Sequence, residues 1–250
     1  MIGSMYKSML IAFMASGLLL QAGCASEQEA GTEVPHNTLT SQEVNEGWEL
    51  LFDGETTDGW RAYNGDQFPE SGWGVEDGQL VVMQSDGSES GFGGDIITEK
   101  KYENFEFQIE WQISEGGNSW MYYHVLEQPG QALHWSAPEI QLIDDENYDI
   151  GDNRLSGSLY DLLAPDPLNA NPAGEWNELR IVVENPMVEH WQNGVKVLEY
   201  ERWTAEWFEM LRNSKFETHP EFGALREGHI GLQDHGDLTR FRNIKIKELD

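Results

Sequence analysis

The sequence predicts an all-β domain, a β-sandwich of the jelly-roll kind interrupted by one short helix. Three observations predict it. Short segments alternate apolar and polar residues with a period of two, as half-buried strands do. Gly, Asp and Asn recur between them at turn positions. One stretch, residues 204–214, breaks the pattern, with Trp207, Phe208 and Leu211 at near-helical spacing. No internal repeat and no second domain is visible, and all-β domains of this length fold as one unit.

The elements follow in order from about Trp48. Residues 73–82 read as strand, Asp77-Gly78 turn, strand. Phe105 to Ile113 alternates over nine residues. Met121–Val125 and Glu139–Ile143 suggest two more strands, and Leu179–Val183 with Met187–Trp191 another pair. Asn193-Gly194 is a strong hairpin signal, because this dipeptide accepts positive φ at both central positions, and Val195–Tyr200 returns. His229–Gln233 and Thr239–Glu248 finish the chain.

Before the body lies a different kind of segment. Lys7 is the only charge ahead of position 24. An apolar run follows at 9–15 and 18–20 and ends in Gln21-Ala22-Gly23-Cys24. A weakly positive start, a short apolar stretch and small residues at the end describe a secretory signal, and the run is too short to span a membrane comfortably. Its end resembles a bacterial lipoprotein lipobox, although Gln21 stands where Leu is usual and Leu20 lies one position earlier. That resemblance implies cleavage before Cys24, acylation of Cys24, and a lipid anchor to the membrane. Ala25 in place of Asp favours the outer membrane. Residues 1–23 are therefore expected as a lipoprotein signal peptide, 24–45 as a flexible tether of small, acidic and polar residues, and 46–250 as the domain. The protein is expected to be exported and lipid-anchored, on the periplasmic face or the surface of the outer membrane.

Composition narrows the partners. The chain of 250 residues carries 45 acidic and 15 basic residues, a formal net charge of −30. Such a surface repels phosphate backbones, so nucleic acid is a poor partner, and solubility or cation binding is the reading of the charge. Cys24 is the single cysteine, so neither an internal disulfide nor a thiolate metal cluster can form. His-Glu-x-x-His, Gly-x-Ser-x-Gly, a phosphate loop and a dinucleotide fingerprint are absent. No cofactor is required, while a divalent cation held by scattered carbonyls and carboxylates stays open.

Four constellations carry possible chemistry. On the strand Glu139-Ile140-Gln141-Leu142-Ile143-Asp144, Glu139 and Gln141 share one face, and Asp144 rejoins them if a bulge intervenes. Two acids on one face provide acid and base chemistry, and a polar outer face is the bland alternative. The spacing is similar to the Glu-x-Asp-x-x-Glu strand of retaining glucanases, with Gln141 and Asp144 as departures. Second, Gln233-Asp234-His235 sits where a strand turns, placing an imidazole beside an acid and an amide. Third, Tyr160-Asp161 and the loop to Trp176-Asn177 combine aromatics with polar groups that suit sugars, though Trp176 also suits a core. Fourth, Tyr122 and His124 share a strand face with Trp120 and would line a cleft or pack a core. Lys215 and Arg242 are candidate cations in an acidic chain.

Together these segments resemble the 3-keto-disaccharide hydrolase domain family. The matching stretches are Trp48 to Gly54 with Trp60, Trp73 to Leu80, Phe105 to Trp111, Gly117-Asn118-Ser119, Pro138 to Asp144, Tyr160-Asp161, Gly174 to Asn177, Val188 to Gly194 and Gly228 to Asn243, spanning roughly 47 to 249. Trp120-Met121-Tyr122 departs from the family pattern. The resemblance implies a concanavalin A-like sandwich and cleavage of glycosides oxidised at C3 of the sugar, a 3-keto-glucoside or similar substrate. A ketone at C3 acidifies the C2–H, so a base can remove it and the enolate can expel the C1 substituent. The chemistry needs a base, a group that stabilises the enolate oxygen, and an acid for the leaving group. On this reading Glu139 or His235 is the base, and Gln141, Gln233 and Lys215 hold the ketone and hydroxyls. Asp234 orients His235 or a hydroxyl, and Tyr122 or Tyr160 protonates the departing oxygen. Tyr122, His124, Asp144, Asp161 and Arg242 complete the expected substrate-binding set. The rival readings are a non-catalytic surface carbohydrate-binding module, an ordinary glucanase, and a scaffold lipoprotein.

Overall fold

The computed structural model describes residues 34–85 and 93–250. The expected signal segment 1–23, the lipidation site Cys24 and tether residues 24–33 lie outside the described residues. In chain order the strands are β1 (Trp48–Leu50), β2 (Trp60–Ala62), β3 (Trp73–Glu76), β4 (Gln79–Val82), β5 (Ile96–Thr98), β6 (Phe105–Ile113), β7 (Asn118–Val125), β8 (Glu139–Ile143), β9 (Asn177–Glu184), β10 (Met187–Gln192), β11 (Val195–Glu201), β12 (His229–Leu232) and β13 (Thr239–Glu248). Among the described residues two α-helices accompany them, α1 (Ser41–Asn45) and α2 (Ala205–Arg212), with three short 3-10 turns.

The strands form two antiparallel sheets, the concanavalin A-like sandwich. One runs β11-β10-β9-β6-β13-β4-β3, with β1 also on β13; the other runs β2-β5-β12-β7-β8. Alternation decides which residues lie between them. Phe105, Phe107, Ile109, Trp111 and Ile113 of β6 point inward, as do Leu179, Ile181 and Val183 of β9. From the smaller sheet come Ile96, Met121, Tyr123, Ile140, Leu142, Ile230 and Leu232. Each fully buried large side chain of this set contributes on the order of 1.5–3 kcal/mol of transfer free energy. A register shift in β13 between Arg242 and Lys245 keeps Phe241, Ile244 and Ile246 all on the core side despite their uneven spacing.

The Asp77-Gly78 and Asn193-Gly194 turns have φ of 49° and 74°, and 48° and 75°, the pairs of positive φ that a tight two-residue hairpin demands. Helix α2 starts where Thr204 accepts a hydrogen bond from the Trp207 amide, and Trp207 anchors it in the core.

Residues 34–45 correct the expected tether: they are part of the body. Thr40 and Glu43 form a capping box at the start of α1, and Lys245 pairs with Glu43. Asn37 is buried. Its Oδ1 accepts from the Asn243 amide at 2.8 Å, the Asn243 Oδ1 accepts from the Asn37 amide at 2.6 Å, and Asn37 Nδ2 donates to Gly78 O. A polar segment thus docks on Asn243 in the β13 bulge and on the Gly78 carbonyl of the β3–β4 turn, a signal absent from hydrophobic patterning.

Candidate functional site

The site grows out of the outer face of the five-stranded sheet. Paired residues across it form ladders. Ile97, Gly231, Tyr122 and Glu139 make one row, and Ile96, Leu232, Met121 and Ile140 the next. The second row faces the core, so the first faces outward, and so does the row after it, where Trp120 pairs with Gln141. Gln233 joins that outer row through its amide bond to Trp120 O, and Asp95 through its carbonyl bond from the Tyr63 amide. These rows floor a cleft of about 350 Å³ whose lining includes Asp95, Trp120, Glu139, Tyr160, Lys215, Gln233 and His235, together with Tyr63 and His134. Glu139, Tyr160, Lys215 and His235, far apart in sequence, share this hollow.

Glu139 opens β8 and is 2% exposed. The Tyr160 amide donates to its carbonyl, which holds the 155–163 segment along the strand. Lys215, from the turn after α2, brings Nζ to 3.5 Å of Glu139 Oε1 and 4.3 Å from the centre of the Tyr160 ring. Burial pushes the Glu139 carboxyl up to about 8; Lys215 offsets part of this, and Asp161 and Asp95 add to it. Asp95 is also raised, to about 7, by burial first; the Asp234 amide works against the rise and the Asp234 charge adds to it. Two carboxyls that titrate near neutrality therefore face one cleft.

His235 is held by a directed chain. The Trp120 indole can only donate, and it donates to Gln141 Oε1. Gln141 Nε2 is then the free end of the amide, and it donates to Asn118 Oδ1 at 2.6 Å. This leaves Asn118 Nδ2 to donate to His235 Nε2 at 3.4 Å. The neutral ring therefore carries its proton on Nδ1, which lies 3.5 Å from Asp237 Oδ2. Trp120 stands edge-on between Tyr160 and His235, its ring 5.4 Å and 5.2 Å from theirs.

Several expected site residues lie elsewhere. Gln141 is fully buried with both ends of its amide engaged, so it orients Asn118 and Trp120 and does not reach the cleft. Tyr122 faces outward on β7 but is covered, packed with Ile97, Val125, Leu133 and Ala137; its hydroxyl is buried, and burial holds it well above the usual tyrosine range. His124 was expected beside it. A register shift opposite β12 and a φ of 52° turn the ring the other way, against Phe105 and Arg202, and burial followed by the Arg202 charge drives it down to about 3. Asp144 does not rejoin the face of Glu139: it accepts from the Gly116 amide at 2.8 Å and from Asn147, closing the turn after β8. Asp161 pairs with Arg154. Asp234 is buried and accepts from the Gly93 and Gly236 amides, so it shapes the turn, and the carboxylate beside His235 is Asp237. Arg242 belongs to the other sheet, paired with Glu110 and stacked 3.8 Å over Trp176, which is likewise outside the cleft.

Asp95, Asn118 and Asp237, with Tyr63 and His134 of the cleft lining, are residues that sequence reasoning did not single out as site residues. A glycine pair directly before the Asp95 strand was a local hint of a tight turn carrying an acid. Among the described residues no group of three His, Cys, Asp or Glu is arranged to hold a metal ion, and no helix is long and apolar enough to cross a membrane.

Comparison with known proteins sets this geometry in context. A family model described as a 3-keto-alpha-glucoside-1,2-lyase-like domain matches residues 47–247. A 3-keto-disaccharide hydrolase of Bacteroides thetaiotaomicron is 38% identical over 95% of this chain and 96% of its own. A crystal structure from Parabacteroides distasonis, of a protein inferred to be a glycosyl hydrolase, superposes with a TM-score of 0.79 at 36% identity, covering 86% of this chain and 100% of that one. A second such protein from the same organism gives 0.64 at 26% identity, covering 81% and 99%.

Proposed function

Because this chain belongs to the family of 3-keto-alpha-glucoside-1,2-lyase-like domains, we propose that it cleaves glycosides whose sugar is already oxidised at C3, by proton abstraction from C2 followed by expulsion of the C1 substituent. Glycoside cleavage is the class of reaction that the family supports. The observation that carries the finer reading is the pair Glu139 and Lys215, a buried carboxyl raised to about 8 with an ammonium 3.5 Å away in a cleft of sugar size.

A base for a C–H alpha to a ketone works best when its pKa lies near the working pH, where enough is ionised and its affinity for the proton is still high. Glu139 meets that condition. His235 fits the role less well, since its Nε2 lone pair accepts from Asn118 and its Nδ1–H faces Asp237. Lys215 stabilises the ionised Glu139 before the step, and its charge stands ready for the enolate oxygen as the Glu139 charge is lost. Gln233 Oε1, buried at the cleft without a partner, supports a contact with a ring hydroxyl. Expulsion of the aglycone leaves an enone, and water added across it gives net hydrolysis.

An ordinary retaining glucanase needs a second carboxylate beside the first. Asp144, its candidate just after β8, is turned into a loop, and Asp95 stands three strand spacings away, which favours the keto-glycoside reading. Export and a lipid anchor at Cys24 belong to the same proposal and rest on the sequence of residues 1–24. The test is incubation of the purified protein and of Glu139→Gln with a 3-keto-disaccharide and with its unoxidised parent. Wild type is expected to consume only the keto form and Glu139→Gln to lose at least about 10²-fold in kcat. Cleavage of the unoxidised sugar alone would reject the proposal.

A further inference from the structure

We propose that Asp95 is the acid of the reaction, giving its proton to the departing aglycone oxygen while Glu139 takes the C2 proton from across the cleft; this rests on the keto-glycoside reading above. The two acids stand at different ends of the same outward face. Asp95 leads into β5 and Glu139 opens β8, with β12 and β7 between them. Three strand spacings separate their backbones by about 14 Å, room for a sugar ring between two inward-leaning side chains.

Asp95 is held as a working group would be. The Tyr63 amide donates to its carbonyl at 2.9 Å, the Trp73 indole donates to Gly94 O at 2.8 Å, and the Gly93 amide donates to Asp234 Oδ2 at 2.9 Å. Gly72, at φ 80°, lets this turn approach: a Cβ there would stand 2.2 Å from Gly93 N and 2.9 Å from Asp234 Oδ2. Asp234 spends both carboxylate oxygens on backbone amides, and its charge and its amide face Asp95. Burial together with that neighbouring charge raises Asp95 to about 7, so that a substantial share of it still carries a proton at neutral pH.

The other proton donors are placed less well. Tyr160 stands on the side of Glu139, under Lys215. The Tyr122 hydroxyl is fully buried, and the Nδ1–H of His235 points to Asp237. The step balances as follows. Ionised Glu139 takes H⁺ from C2, and the C–H electrons form the enolate with C3. The enolate collapses to a C1–C2 double bond conjugated to the ketone, the C1–O bond breaks toward oxygen, and that oxygen takes the Asp95 proton. Glu139 ends protonated and Asp95 ionised, and exchange with water resets both.

An acid matters in proportion to how poor the leaving group is, so the test varies the aglycone. Two 3-keto-glucosides are compared, one of 4-nitrophenol and one of a sugar hydroxyl. Asp95→Asn is expected to lose roughly 10²–10³-fold in kcat/KM on the sugar aglycone and less than about fivefold on nitrophenol, the usual size of an acid contribution that a good leaving group no longer needs. Activity on nitrophenol also reports that the variant folds, and Asp95→Glu is expected to restore part of the loss. An equal loss on both substrates, or no loss on either, overturns the assignment, as does finding the aglycone-dependent pattern in Tyr160→Phe instead. If wild type cleaves neither keto-glucoside, the underlying reading fails first, and the role of Asp95 fails with it.

Discussion

Lys215 Nζ lies 3.5 Å from Glu139 Oε1, though the two residues are 76 positions apart and the lysine comes from the irregular turn after α2. This contact offsets part of the cost that burial puts on ionising Glu139, so the insertion that carries α2 acts on the chemistry of a strand it does not pair with.

Removing the cation should move the pH dependence. In Lys215→Met the offset to burial is lost, and Glu139 rises further above its value of about 8. The rising limb of the kcat/KM profile should shift to higher pH, with a loss of about 10–10³-fold at pH 7 that shrinks as pH increases. A profile that falls uniformly without shifting would mean that Lys215 only binds substrate.

Stability carries the same signature with a definite sign. Glu139 titrates higher in the folded protein than when unfolded, so folding favours its protonated form and ionisation costs stability. That cost is absent below about 4.5, accumulates as pH rises, and is complete above about 8. Glu139→Gln should therefore gain stability over wild type by up to about 1.4 kcal/mol per pH unit across that window. Urea denaturation at pH 5 and pH 8.5 measures it; a gap that is the same at both would contradict the raised carboxyl.

The His235 tautomer is a prediction for nitrogen NMR. Wild type should show neutral His235 protonated at Nδ1. Asn118→Ala removes the donor to Nε2 and should let the Nε2–H form appear. Because His235 is not the base on this reading, kcat should fall less than about tenfold. A loss as large as that of Glu139→Gln would reverse the two roles.

Asn37→Ala tests the corrected boundary. It removes the acceptor for the Asn243 amide and the donor to Gly78 O. The expected cost is about 1–3 kcal/mol, from a buried amide left unpaired, read as a lower urea midpoint. A true tether would tolerate the change.

The sandwich was legible because alternation is a local property. So was Glu139, since the next residue on its face is two positions along the same strand. Gln233 and His235 were legible as polar residues where a strand ends. Asp95 was not: it matters only because β5, β12, β7 and β8 pair in one register, and no stretch of sequence states that register. His124 was misread for a related reason, because one residue of positive φ inverts the alternation that placed it beside Tyr122. Gln141 had the right face but the wrong company, since the segment 155–160 covers it by pairing along β8.

The reciprocal Asn37–Asn243 pair fixes where the folded body can be gripped. The chain joins the layer of β13, while the mouth of the cleft opens through the other layer. A grip at residues 34–37 therefore acts on the layer that does not carry the cleft, so a label placed there should leave kcat/KM unchanged.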